Sequence, residues 1–268
     1  MKLTELYQTL RESYQLRASR LCSRRLARMR NTTPLISFTF DDFPRSAFKT
    51  GGAILKAHNA RGTYYVSLGL MGQNGPVGSL FTSDDLHAVL ADGHELGCHT
   101  FTHCHSWETP PREFEKSVRD NERSLRKLLP DGSFRTLSYP LSTPRPAIKR
   151  RMANHFACCR GGGQTNNVGT VDLNYLRAFF LEKSIDHPAA IREMLDRNAR
   201  AGGWLIFATH DVCEKPTRFG CAPRFFEEVV QQASKSGATI LPVAEAFERV
   251  TQTEVPLPSR PEFSHVCR

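Results

Sequence analysis

At 268 residues, the chain is long enough for one large α/β domain or two small ones, and its 40% hydrophobic content supplies a real core. No apolar run approaches the ~18 residues of a membrane span, and the first residues lack the apolar core of a secretory signal, so a cytoplasmic protein with eight reduced cysteines is expected. The net charge of +9 is concentrated in residues 1–30, where eight cations face only Glu5 and Glu12, and the nearly balanced remainder argues against a nucleic-acid-binding core.

Taken in order, residues 3–29 read as a basic amphipathic helix, with Leu3, Leu6, Tyr7, Leu10, Tyr14, Leu21 and Met29 near three-to-four spacing. Such a helix either packs on the outside of the domain or makes peripheral contact with an anionic membrane. Asn31-Thr32-Thr33-Pro34 breaks the pattern, giving an N-terminal segment 1–33, a catalytic domain 34–250 and a Pro-rich tail 251–268. Strands are expected at 35–40, 63–66, 95–97, 134–139, 155–159, 175–181, 204–209 and 239–241. Between them lie helices near 46–58, 83–90, 111–129, 146–154, 188–201, 223–236 and up to 250, with Thr82 or Ser83 as an N-cap and a glycine-rich loop at 161–169. Strand and helix alternate throughout. This predicts a distorted (β/α) barrel of seven or eight parallel strands with an extra N-terminal helix.

Three of the strand ends carry chemistry. Thr39-Phe40-Asp41-Asp42 closes the first strand, His99-Thr-Phe-Thr-His103 follows the third, and Thr209-His210-Asp211 closes the strongest. The four-residue spacing of His99 and His103 places both imidazoles on one side of a helical turn, where they can reach one ion. One Asp and two His make three ligands for a divalent ion and leave positions open for water and substrate. The second carboxylate suits a general base and the distant His a general acid, which together describe metal-assisted hydrolysis of an amide. Cys98 and Cys104 flank the pair and are expected to be buried and inert. Phe101 and Trp107 supply either an apolar wall beside the ion or ordinary packing.

The Thr39–Asp42, His99–His103 and Thr209–Asp211 motifs closely resemble those of the polysaccharide deacetylase (NodB-homology) family, in the right order over residues 34–250. The resemblance implies removal of acetyl groups from sugars with Zn²⁺, or with Co²⁺, Mn²⁺, Fe²⁺ or Ni²⁺. Carried over by position, it makes Asp41 the base, Asp42, His99 and His103 the metal ligands, and His210 the acid. The family's third motif, Arg-x-Pro-Tyr/Phe-Gly, becomes Ser138-Tyr139-Pro140-Leu141-Ser142 here. The backbone N–H of Leu141 still suits the oxyanion, because that role needs no particular side chain. The motif's Arg is missing, and Arg177 on a later strand is the candidate to replace it. Glu182 is the candidate acid to pair with His210, with Asp172 and Asp186 as rivals. The implied substrate is an acetylated carbohydrate; the alternatives are the same chemistry on another amide, as in a deformylase or imidase, and a non-catalytic glycan-binding scaffold.

Overall fold

The computed structural model describes residues 3–251. They run as α1 (Leu3–Leu21), β1 (Leu26–Arg28), β2 (Leu35–Phe40), a π-helical turn at Ala47–Gly52 continuing into α2 (Ala53–Ala57), and β3 (Gly62–Val66). The small ribbon β4 (Asn74–Gly75) and β5 (Gly78–Ser79), α3 (Ser83–Ala91), β6 (Glu95–Cys98), α4 (Pro111–Leu128), β7 (Thr136–Ser138), α5 (Pro146–Met152) and β8 (Cys158–Gly162) follow. The chain continues with β9 (Thr170–Asp172), β10 (Leu176–Phe180), α6 (Ala189–Ala201), β11 (Trp204–Thr209), α7 (Pro223–Lys235), β12 (Thr239–Ile240) and α8 (Val243–Thr251).

Strand β2 is buried at every position, as are β3 and β11. Strands without a solvent-facing side need cover on both faces, and a parallel barrel inside a ring of helices provides it. Here β2, β3, β6, β7, β8, β10 and β11 pair in parallel, and β11 returns to β2 over its whole length, from Trp204 opposite Leu35 to Thr209 opposite Phe40. Seven strands therefore close the barrel. The eighth expected strand, β12, pairs only with Leu35 and Ile36 at the start of β2, below the point where β3 joins at Phe38. It is a branch at the barrel's floor.

Alternate residues on each strand serve two apolar clusters. Ile36, Phe38 and Phe40 pack outward with Leu55 of α2 and Phe226 and Val229 of α7. Leu35, Trp204, Ile206 and Ala208 pack inward with Val243, Ala246 and Val250 of α8. Helix α8 plugs the floor, and its first N–H groups are satisfied by the barrel itself: Val243 donates to Thr63 Oγ1 and Ala244 to Glu95 Oε2, both at 2.9 Å. With the floor closed by α8, a substrate can approach only from the carboxyl ends of the strands.

The expected helix over 3–29 stops at Leu21. Ser23 takes a left-handed φ of 51°, and β1 then pairs antiparallel with β9. Periodicity did not show this break because long-range bonds impose it: the Arg25 guanidinium donates to the carbonyls of Ala153, Phe156 and Ala157. Lys149 is fully buried, and its ammonium donates to Ser19 O, Cys22 O and Asp172 Oδ2 at 2.6, 2.9 and 2.7 Å. Two cations thus tie the end of α1 to the barrel wall. No helix among the described residues is long and apolar enough to cross a membrane.

Candidate active site

Asp42, His99 and His103 converge at the mouth of the barrel. Asp42 Oδ1 lies 3.5 Å from His99 Nε2 and 3.4 Å from His103 Nε2, and Asp42 Oδ1 is buried without a hydrogen-bond partner. Three donors around a tetrahedral ion, each about 2.1 Å from it, stand about 3.4 Å apart, so this triad fits a divalent ion. The tautomer is set from behind. His99 Nδ1 donates to the Ser138 carbonyl at 2.8 Å, which leaves the Nε2 lone pair for the metal position. Burial lowers the His99 pKa to about 4, countered in part by Asp41, so the ring is neutral and able to ligate at physiological pH.

The convergence does not come from a helical turn. Residues 99–105 form an irregular loop in which Thr100 and His103 both have left-handed φ values, 62° and 54°. Asp42 is also left-handed, at 59°. Non-glycine residues in this region cost conformational energy and persist only where the surroundings hold them. Here Thr100 Oγ1 accepts from the Cys104 N–H at 2.9 Å, and Phe101 N donates to Ser117 Oγ at 2.9 Å. Cys98 is buried, its thiol pushed up to about 12 by burial, and Cys104 is half-buried.

Asp41 ends the inward-facing row of β2 and is almost fully buried. Burial alone would raise its pKa; the charge of Arg160, with smaller contributions from His99 and His210, outweighs this and holds it well below the usual carboxylate range. The Arg160 guanidinium donates a short hydrogen bond to Asp41 Oδ1 and lies 4.8 Å from the centre of the Tyr65 ring. Arg177, the residue expected there, makes no ion pair with Asp41. Its side chain lies beside Gly163, within electrostatic reach of Arg20 and Arg197. The register explains the correction: Arg160 on β8 is the direct neighbour of Ser138 on β7. The guanidinium comes from one strand further round the barrel, at the level of the serine that stands in its motif.

His210 follows β11, and its Nδ1 donates to the Phe219 carbonyl at 3.2 Å, which directs Nε2 into the cleft. The neighbouring Asp211 turns away and accepts from the Thr217 N–H and hydroxyl. Glu182 lies within electrostatic reach of His210, with its pKa raised by burial, but does not bond to it; the Phe219 carbonyl takes the orienting role. Asp172 is committed to Lys149, and Asp186 is exposed. Leu141 and Ser142 both have left-handed φ values, 57° and 65°, and the Leu141 N–H meets no acceptor among the described residues.

These groups line a cleft of about 690 Å³. Its apolar wall comes from Leu16, Val77, Leu141, Tyr175, Phe180 and Phe219. Phe101 and Trp107 are absent from that wall: Phe101 packs over Gly69 and Trp107 against Tyr14. Leu16 and Arg20 place α1 at the edge of the cleft.

A closed parallel barrel with its acids and imidazoles at the carboxyl ends defines a (β/α)-barrel protein. Residues 28–155, which hold Asp41, Asp42, His99 and His103, match the family model described as polysaccharide deacetylase. A comparison with curated protein sequences gives no match. Among solved structures, the chain resembles the peptidoglycan deacetylase PdaC of Bacillus subtilis (16% identity over 81% of this chain and 92% of that one, TM-score 0.55). It also resembles the chitin deacetylase of Colletotrichum lindemuthianum (18%, 81% and 89%, TM-score 0.57). A family 4 acetyl xylan esterase from Clostridium thermocellum in complex with a cobalt ion is similar as well (19%, 80% and 90%, TM-score 0.55). These likenesses show the barrel fold.

Proposed function

We propose that the chain is a metal-dependent hydrolase that removes N-acetyl groups from a carbohydrate. The observation that carries this reading is the meeting of the Asp42–His99–His103 triad with an anionic Asp41 on one side and an inward-facing His210 in the same cleft. Asp42, His99 and His103 would hold a divalent ion, Zn²⁺ first and Co²⁺, Mn²⁺, Fe²⁺ or Ni²⁺ as alternatives, which would supply Lewis acidity at the scissile acyl group. Asp41 takes a proton from the attacking water, and Arg160 keeps that carboxylate anionic and aimed. The free N–H of Leu141 donates to the developing oxyanion. His210 delivers a proton from Nε2 to the leaving nitrogen while the Phe219 carbonyl holds its ring. The test is acetate release from acetylated amino-sugar oligomers together with metal content. One equivalent of metal, with release abolished in Asp41→Asn, supports the reading. Bound metal with no acetate from any sugar would transfer the chemistry to a formyl or imide substrate, and no metal would leave a glycan-binding scaffold.

A second observation supports peripheral contact with an anionic membrane. On α1, Tyr7, Leu10, Tyr14 and Leu21 share one exposed stripe, with Arg11 and Arg17 beside it. Removing residues 1–21 should lower retention on phosphatidylserine vesicles; equal retention would end this reading.

A further inference from the structure

Arg177 reached no carboxylate, and its surroundings show a different use. Beside the main cleft lies a smaller one of about 190 Å³, lined by Arg20 in the last turn of α1, Arg24 in the connection that follows it, Arg177 on β10, and Asn167, Asp172 and Tyr175. Arg20 and Tyr175 line both cavities, so the two adjoin. None of the three guanidinium groups has an acidic partner among the described residues: Asp172, the one acid present, is taken by Lys149 at 2.7 Å. Arg177 is partly buried, and both that burial and the charge of Arg20 push its pKa down. Three cations gathered around a small concavity whose one carboxylate is already neutralised by Lys149 repel one another, and a bound anion relieves the repulsion.

We infer that this cavity is an anion subsite that receives a phosphate or carboxylate group carried by the substrate, next to the sugar whose acyl group lies at the Asp42 triad. The volume suits one such group, and guanidinium forks match its paired oxygens. The subsite is built outside the family-matched segment, because Arg20 and Arg24 precede residue 28 and Arg177 follows residue 155. It therefore selects among acetylated glycans instead of serving the hydrolysis they share. The identity of the substrate as an acetylated sugar rests on the function proposed above.

The inference is tested by calorimetric binding with the full chain, using N-acetylglucosamine, N-acetylglucosamine 1-phosphate and N-acetylmuramic acid as probes. To keep the phosphate off the metal position, titrations are repeated in the Asp42→Asn background. The expected result is at least tenfold tighter binding of one or both anionic probes than of the neutral sugar. That preference should survive in Asp42→Asn, weaken with salt and disappear in Arg24→Gln/Arg177→Gln. Arg17→Gln, on the exposed face of α1, should retain it and controls for net charge. Preference for the phosphate alone, or the carboxylate alone, supports the subsite and names its ligand. Equal binding of all three probes, or a preference unchanged in the double variant, overturns it. Binding is read without turnover, so failure of acetate release refutes the proposed function and leaves this result standing, and the converse also holds.

Discussion

Replacing Arg160 by Met removes the one guanidinium that faces Asp41 while keeping most of the buried volume. Asp41 then remains in a nearly dry site, facing the imidazoles of His99 and His210 but no guanidinium. Breaking a buried ion pair from one side costs about 3–5 kcal/mol. For a domain of this size that lowers the melting temperature by about 6–20 °C. The sign with pH follows from Asp41. In the wild type its folded pKa lies below the unfolded 3.8, so the pair contributes stability above about pH 4 and loses it only at lower pH. In Arg160→Met burial dominates and the folded pKa rises above the unfolded one. The destabilisation is then greatest at neutral pH and shrinks on acidification, by up to about 1.4 kcal/mol per pH unit. Urea unfolding of metal-free protein at pH 7 and pH 5 measures both. The double variant Arg160→Met/Asp41→Asn, which removes both charges of this pair, should be more stable at pH 7 than Arg160→Met alone. A loss below about 1 kcal/mol, a loss equal at both pH values, or a double variant no better than the single would refute the reasoning.

Three further outcomes follow from the same geometry. Lys149→Met strands Asp172 and frees the carbonyls of Ser19 and Cys22; hydrogen exchange at residues 16–25 should rise by at least tenfold, and unchanged protection would contradict the anchoring role. In Gly161→Ala the new methyl overlaps the Ser142 carbonyl and the Tyr175 ring. This should cost about 1–3 kcal/mol of stability and lower kcat more than it raises KM, because the Leu141 N–H is displaced; wild-type kcat would remove Leu141 from the reaction. Asp42→Ala should leave the fold intact by circular dichroism but reduce bound metal from one equivalent to below a tenth. Full metal occupancy in that variant would mean the ion sits elsewhere.

Much of the barrel was legible because its strands are short apolar runs bounded by Gly, Pro or polar residues, and β2 and β11 were placed to the residue. The reading failed where long-range contacts decide the backbone. Gly161-Gly162 reads locally as loop, yet both belong to β8, where there is no room for a side chain at Gly161 against Ser142 and Tyr175. Ending that strand at 159 hid Arg160, whose position at the end of an apolar strand was the available signal. The His99 and His103 rings do converge, but a strained loop and not the helical turn expected from their spacing brings them together.

The displaced arginine shows what the site requires of the sequence. Ser138 and Arg160 are register partners on adjacent strands, and both face the bore at the level of Asp41. In a parallel barrel, level and inward parity decide which side chains can meet, and neighbouring strands offer near-equivalent positions. Moving a charge one strand sideways therefore preserves the contact, while moving it one residue along the strand would point it at the helices. Arg177, on β10 and opposite Gly161 by register, has the wrong parity for Asp41. That parity turns it toward Arg20 and the end of α1, so the residue that cannot orient the base is free to meet the rest of the substrate.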